Sequence, residues 1–141
     1  MIILTVDTAE QSPSLFQPVI LVAEDEVLIR NFVCLQLQRE GYHVLAASDG
    51  QEALDLSRAY TGRIQLLLTD VKMPKMNGLS LAERLLNERP GLRVLVMSGM
   101  LSPGQTGSIT LPFLRKPFVA RDLREKIHAV LKAPPPPQPK S

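Results

Sequence analysis

Short apolar runs alternate along this chain with longer segments whose apolar residues have helical spacing. Val19–Ala23 is the first such run, and an unbroken apolar run of this length is typical of a strand buried on both faces of a parallel sheet. Short runs that are mostly apolar predict further strands at 44–47, 65–69, 93–97 and 113–115, and the segments between and after the strands predict helices at 27–40, 49–60, 79–87 and 119–131. The alternation favours right-handed crossovers, and therefore a doubly wound parallel α/β sheet in three layers.

The composition fits one globular domain. The 141 residues are 45% hydrophobic and 21% charged, and a domain usually has about 100–150 residues. The net charge of +2 gives no basis for a nucleic-acid surface. Cys34 is the single cysteine, which excludes an internal disulfide and a multi-cysteine metal site, and we expect it to be a small core residue of the first helix. No apolar run approaches the roughly 18 residues of a membrane helix, and no basic signal segment opens the chain, so we expect a cytoplasmic location and no membrane association.

The two ends differ in composition from the middle. Residues 1–17 are a polar, proline-containing leader, in which Ile2–Val6 either pairs as an edge strand or frays. Residues 133–141 hold four consecutive prolines and predict an extended tail that is a linker, an inert end or a ligand for a proline-binding partner. The domain is therefore predicted at 18–132, and any output function is expected on another chain.

Polar residues follow four of the predicted strands where each strand ends. Glu24, Asp25 and Glu26 follow the first strand, Asp70 the third, Ser98 the fourth and Lys116 the fifth. Taken singly, these residues have simple explanations, such as a helix cap, a first-turn acid, a turn or a solvated lysine. Because ligands of parallel α/β sheets bind at the carboxyl ends of the strands, their occurrence at successive strand ends predicts a functional site there.

The residue types at these positions suit phosphoryl transfer to a carboxylate. Clustered carboxylates without histidine or cysteine are the ligands that Mg²⁺ prefers. A lysine ammonium can hold a carboxylate or a phosphoryl oxygen, and a serine hydroxyl can donate to a phosphoryl oxygen. With Asp70 as nucleophile, the set supplies the positioning and charge neutralisation on which such a reaction depends.

Four segments carry a resemblance to a known family: 19–26 (VILVAEDE), 68–78 (LTDVKMPKMNG), 94–99 (VLVMSG) and 113–118 (FLRKPF). They resemble the receiver domain of bacterial two-component response regulators, over about residues 18–132. The resemblance implies a flavodoxin-like, five-stranded fold. It also implies that a histidine kinase or a histidine phosphotransfer protein donates a phosphoryl group from a phosphohistidine.

The resemblance also implies a role for individual residues. Asp70 matches the phosphoacceptor and Lys116 the lysine that contacts it. The implied Mg²⁺ ligands are Glu24, Asp25, Asp70 and the backbone carbonyl of Lys72. Ser98 and Phe113 match the switch hydroxyl and the switch aromatic, and the Lys116–Pro117 peptide bond is implied to be cis.

Residues 98–112 depart from the family pattern. The family has a full helix between its fourth and fifth strands, whereas this segment contains Pro103, Gly104, Gly107 and Pro112. An interior glycine costs about 1 kcal/mol and a proline about 3 kcal/mol relative to alanine. We therefore expect this helix to be missing or cut to one turn. Such a change would modify the output face that it forms with the fifth strand and the last helix.

The residues that tune phosphoryl lifetime in the family fall here at Lys72 and Met100. Neither side chain carries a carboxamide or carboxylate to orient a water molecule, so slow self-dephosphorylation is expected. His43 and His128 are expected to be surface residues and not phosphodonors. The chain is therefore predicted to be a receiver and not a turnover enzyme.

The leading hypothesis is a stand-alone receiver that takes a phosphoryl group on Asp70 and signals through a protein partner. The alternative is an interaction module on a receiver scaffold that works without phosphorylation. A phosphatase with an aspartate nucleophile would want a second acid where this chain has Lys72. A nucleotide-binding domain would want a glycine-rich loop after the first strand, and none follows it. Homodimerisation is left open.

Overall fold

In the computed structural model, which describes residues 17–99 and 111–136, the strands form one parallel sheet. The strands are β1 (Val19–Ala23), β2 (His43–Ala47), β3 (Leu66–Asp70), β4 (Arg93–Ser98) and β5 (Phe113–Arg115). Their order in the sheet is β2-β1-β3-β4-β5. The strand order reverses at β1, so the carboxyl ends of β1 and β3 flank the switch point at which ligands bind in such sheets.

The helices in the described ranges are α1 (Val27–Arg39), α2 (Gly50–Ala59), α3 (Gly78–Glu88) and α4 (Ala120–Lys132). Side-chain caps fix two of their starts: Asp49 Oδ1 accepts from the Glu52 N–H at 2.7 Å, and Asn77 Oδ1 accepts from the Ser80 N–H at 2.8 Å. The first and last residue predicted for each strand and helix lie within one residue of those in the structure.

The sheet separates two apolar cores. Successive side chains of a strand point to opposite faces, and accordingly Leu21 lies in one core and Ile20 and Val22 in the other. Helices α2 and α3 cover the first core and α1 and α4 cover the second. The predicted doubly wound, flavodoxin-like α/β fold in three layers is confirmed.

Helix α1 leaves part of its apolar surface exposed. Val33 and Leu37 are its buried residues. Leu28 is 79% exposed, Leu35 47% and Phe32 37%. These three large side chains recur at intervals of four and three residues, so they form an apolar stripe along one side of the helix, here called the α1 stripe.

Four predictions fall wholly or mainly outside the described residues. They concern the shortened or missing helix between β4 and β5, the role of Met100 in phosphoryl lifetime, the Ile2–Val6 segment and most of the proline-rich tail. Within the described ranges, each helix is too short or too polar to cross a bilayer.

Candidate functional site

Lys116 joins the carboxyl ends of three strands. It follows β5, and its Nζ lies 2.8 Å from Glu24 Oε1, just after β1, and 3.2 Å from Asp70 Oδ2, at the end of β3. Burial lowers the pKa of Lys116, but the bonds to Glu24 and Asp70 outweigh it and hold that pKa above its ordinary value. The ammonium therefore keeps its charge and bridges two carboxylates.

Glu24 is the most buried acid of the site. Its exposed fraction is 0%, and burial raises the pKa of its carboxyl above the ordinary value. Both carboxyl oxygens have donors, because Oε1 accepts from Lys116 and Oε2 accepts from the Glu26 N–H at 3.1 Å. These bonds lower the pKa and offset part of the effect of burial. Glu24 is thus fixed in place by its partners.

Asp70 is the last residue of β3 and is 8% exposed. Its Oδ1 accepts from the N–H of Val71 at 2.8 Å, while Oδ2 faces Lys116. Just beyond it, the Gly78 N–H donates to the Val71 carbonyl at 2.8 Å, which closes the loop 71–77 at its base. A Cβ at Gly78 would collide with the Asp70 carbonyl, so the close return of the chain at this point needs glycine.

Three carboxylates come together here. Glu24, Asp25 and Asp70 each offer a carboxylate oxygen, and these oxygens lie within 4.8 Å of one another. Asp25 is exposed whereas Glu24 and Asp70 are buried, so the cluster opens to solvent on one side. Hard oxygen donors around an open position fit Mg²⁺, which keeps several of its waters. When bound, the ion would neutralise negative charge on a phosphoryl group.

The other predicted site residues lie around this cluster. Ser98 is the last residue of β4 and is buried, and its carbonyl accepts from the Lys116 N–H at 3.0 Å. Phe113 begins β5 and is half-buried against the first core. Lys72 is exposed in the loop after β3. The Lys116–Pro117 bond is cis. The roles assigned to these residues stay predictions.

The sequence analysis missed Arg30 as a supporting residue. Its Nη1 donates to the Glu24 carbonyl at 2.9 Å, so the turn between β1 and α1 is tied to the first helix. No sequence signal marks this contact, because it depends on the path of the chain between Glu24 and the second turn of α1.

Residues predicted to be outside the site do lie outside it. His43 is exposed and stacks on Tyr60, with 6.2 Å between ring centroids. His128 is exposed on α4, with its Nε2 3.8 Å from Glu40 Oε1. Cys34 is half-buried against the second core. Burial raises the pKa of its thiol, and Arg30 offsets part of that effect.

The fold and the acidic cluster define a class of protein. A family model described as the response regulator receiver domain matches residues 20–128. The chain therefore belongs to the response regulator receiver domain family.

Curated relatives agree with this assignment. The chain is 36% identical over 116 residues to the response regulator receiver protein CpdR of Brucella abortus, which covers 79% of this chain and 95% of CpdR. It is 32% identical over 115 residues to the probable transcriptional regulatory protein TcrX of Mycobacterium tuberculosis, covering 74% of this chain and 48% of TcrX. The chain thus spans nearly all of one relative and about half of the other.

Solved structures show the same fold. The chemotaxis response regulator CheY4 of Vibrio cholerae superimposes with a TM-score of 0.72 at 27% identity, over 81% of this chain and 98% of CheY4. The receiver domain of the hybrid histidine kinase CckA superimposes with a TM-score of 0.70 at 34% identity, over 81% of this chain and 99% of that one.

Proposed function

We propose that this receiver accepts a phosphoryl group on Asp70 from a phosphohistidine, with Mg²⁺ held by Glu24, Asp25, Asp70 and the Lys72 carbonyl. The observation that carries the proposal is the position of Lys116 Nζ, 3.2 Å from Asp70 Oδ2 and 2.8 Å from Glu24 Oε1. A cation held between two acids at the end of β3 neutralises the charge that an incoming phosphoryl group would meet.

The transfer step exchanges one bond for another. An Asp70 carboxylate oxygen attacks phosphorus, the histidine N–P bond breaks, and a new O–P bond makes an aspartyl phosphate. The electron pair of the broken bond returns to the imidazole nitrogen. Lys116 contacts Oδ2 before transfer and is placed to hold a phosphoryl oxygen afterwards.

Release of the phosphoryl group regenerates Asp70 by hydrolysis. Lys72, two residues beyond Asp70, is exposed and has an ammonium where a carboxamide or carboxylate would orient water. The proposal therefore includes slow self-dephosphorylation. It makes the chain a phosphoacceptor that catalyses its own modification, not a turnover enzyme, in a cytoplasmic two-component pathway.

The α1 stripe supports a protein as the phosphodonor. Leu28 and Phe32 line an apolar groove together with Lys116, Pro117 and Phe118. Because Lys116 also contacts Asp70, the groove adjoins the phosphoacceptor. Large exposed apolar groups beside a reactive centre are typical of a protein-binding surface. We propose that the phosphohistidine protein docks on this groove during transfer.

Mass spectrometry after incubation with acetyl phosphate and Mg²⁺ tests the proposal. We expect wild-type protein to gain the mass of one phosphoryl group and Asp70→Asn to gain none. Asp55→Asn is the matched control, because it makes the same change at an exposed aspartate on α2, and it should gain the group as the wild type does. No gain in wild-type protein would favour an interaction module that works without phosphorylation.

A further inference from the structure

The start of α2 contacts the loop 71–77, which carries the predicted Lys72 ligand. Gly50, the first residue of α2, is buried, and a Cβ at this position would lie 2.6 Å from the Met76 carbonyl oxygen and 2.8 Å from Met76 Cβ. Ordinary contact begins at 3.4 Å, so any side chain at residue 50 would have to move backbone by about 0.8 Å.

This contact, and not backbone conformation, explains the glycine. Gly50 lies in a helix and is not among the glycines with positive φ, which in the described residues are Gly41 and Gly91. Most L-amino acids could adopt its conformation, and what they lack is space against Met76. The absence of a side chain is therefore a steric requirement of the loop.

A second contact joins the same two segments. Lys75 Nζ lies 3.6 Å from Asp49 Oδ2, the residue that caps α2. Lys75 has a φ of 71°, a conformation that is uncommon for residues other than glycine. Because the lysine side chain is 69% exposed, the ion pair contributes little on its own. It shows that the loop apex is held towards α2 at two neighbouring positions.

We propose that Gly50 is a positioning residue for the cation site, an inference that rests on the proposed function. The loop is closed at its base by the Gly78–Val71 hydrogen bond and supported at its far end by α2 at Gly50. Lys72 lies between these two points. Mg²⁺ demands near-ideal geometry with ligands at about 2.0–2.1 Å, so a displacement of several tenths of an ångström at the loop weakens its binding.

Magnesium titration followed by amide NMR tests the inference. In metal-free Gly50→Ala protein we expect shifted amide signals for Lys72 and Met76. When Mg²⁺ is added, we expect the Mg²⁺ concentration at the midpoint of the titration to be roughly tenfold higher than in wild type. Phosphorylation by acetyl phosphate should recover at saturating Mg²⁺. The matched control is Gly62→Ala, where the atoms nearest to an added Cβ belong to the side chain of Tyr60 and not to the loop 71–77, and its midpoint should equal that of wild type.

The outcomes separate this inference from the proposed function. If wild-type protein takes up the phosphoryl group but Gly50→Ala has the wild-type midpoint, the positioning role is wrong and the function stands. If wild type binds Mg²⁺ without phosphorylation and Gly50→Ala weakens binding, the positioning role stands and the function fails. If wild-type protein binds no Mg²⁺, both are wrong.

A second variant keeps the test decisive if Gly50→Ala does not fold. Asp49→Asn keeps a good helix cap and removes the charge that faces Lys75. We expect a midpoint about twofold higher, in keeping with a weak exposed ion pair. An unchanged midpoint together with unchanged loop signals would overturn the role of α2 in holding the loop.

Discussion

Lys116 and Glu24, 92 residues apart in the chain, form a largely buried ion pair with 2.8 Å between Nζ and Oε1. Lys116→Met would leave the buried Glu24 carboxylate without its cation. Breaking one partner of a buried pair typically costs 3–5 kcal/mol. We expect a loss of about 2–3 kcal/mol in the free energy of unfolding at pH 7, because Lys116 keeps some contact with solvent. Urea melts without metal, compared at equal m value, measure it.

This loss should depend on pH in a defined direction. Burial already raises the pKa of Glu24 above 4.5, and removing Lys116 removes a cause that lowers it. When the pKa of a carboxyl is higher in the folded than in the unfolded protein, its ionised form destabilises the folded state. This penalty is fully present above the folded pKa, and it is relieved as the pH falls towards the ordinary value of 4.5. The deficit of Lys116→Met should therefore shrink from pH 7 to about pH 5. An equal deficit at both values would contradict an unpaired Glu24 as its cause.

Asp25 separates metal binding from folding. Its side chain is the exposed member of the acidic cluster, so Asp25→Asn should change the free energy of unfolding by less than about 0.5 kcal/mol. The same change should weaken Mg²⁺ binding by at least about tenfold in calorimetric titration. Glu26→Gln is the matched control, because Glu26 is a neighbouring acid that is also exposed and lies outside the cluster. Equal affinities for the two variants would rule out Asp25 as a ligand.

Leu28, 79% exposed, tests the proposed docking groove. Burying a leucine contributes about 1.5–3 kcal/mol, and about 1.4 kcal/mol corresponds to a tenfold change. Leu28→Gln should therefore slow transfer from a phosphorylated histidine phosphotransfer protein by about tenfold or more, while the rate with acetyl phosphate stays the same. Ala59→Gln places the same side chain at an exposed end of α2 and should change neither rate. A wild-type rate for Leu28→Gln with the protein donor would place docking elsewhere.

Arg89 links the ends of α2 and α3. Its guanidinium donates to the Ser57 hydroxyl and to three carbonyl oxygens, those of Ser57, Tyr60 and Gly62. Arg89→Ala should lower the free energy of unfolding by about 2–3 kcal/mol, the upper part of the range of about 1.5–3 kcal/mol for hydrogen bonds to a charged group. Arg89→Lys should recover little of the lost stability, because the lysine ammonium lacks the planar, forked set of donors that a guanidinium has.

The control for this prediction lies on α3, and Arg89 directly follows the end of that helix. Arg84 is exposed on α3, and Arg84→Ala should stay within about 0.5 kcal/mol of wild type in the same urea melts. A similar loss for both variants would mean that removing any arginine near the end of α3, and not the contacts of Arg89, accounts for the effect.

Cys34 should react slowly with alkylating reagents. Burial raises the pKa of its thiol and Arg30 offsets only part of this, so less thiolate is present at pH 8 than for a free cysteine with a pKa of about 8.5. Iodoacetamide should therefore modify the folded protein more slowly than glutathione. The urea-denatured protein should react at the glutathione rate, and a folded protein that matched this rate would show an accessible thiolate.

The positions of the strands and helices were predictable from local pattern. Strands β1 and β3 are buried on both faces, so β1 is apolar throughout and β3 begins with three consecutive leucines, patterns typical of a buried strand. Helices α2 and α3 begin at side-chain caps that the sequence itself supplies, Asp49 and Asn77. Local signals of this kind do not depend on what the segment later packs against.

The apolar surface of α1 was not predictable in the same way. Its sequence places Leu28 and Phe32 on one side of the helix and Val33 and Leu37 on the opposite side, and the structure buries only the second pair. Periodicity shows which apolar residues share a side of the helix, but not which side a neighbouring element covers. Whether a side of α1 is covered depends on where α4 and the chain after β5 lie, and both segments are distant from α1 in the sequence.

The sequence by itself determined which chemical groups end the strands, since Glu24, Asp70, Ser98 and Lys116 directly follow or end runs whose pattern predicts strands. Only the tertiary structure decided which of them meet. The parallel order β2-β1-β3-β4-β5 brings Lys116 to Glu24 across most of the chain, and packing of α2 on the 71–77 loop brings Gly50 to Met76. The physical reason is that strand and helix formation follow from local backbone preference and periodicity, whereas a contact at 2.8 Å requires the register and packing of several elements at once.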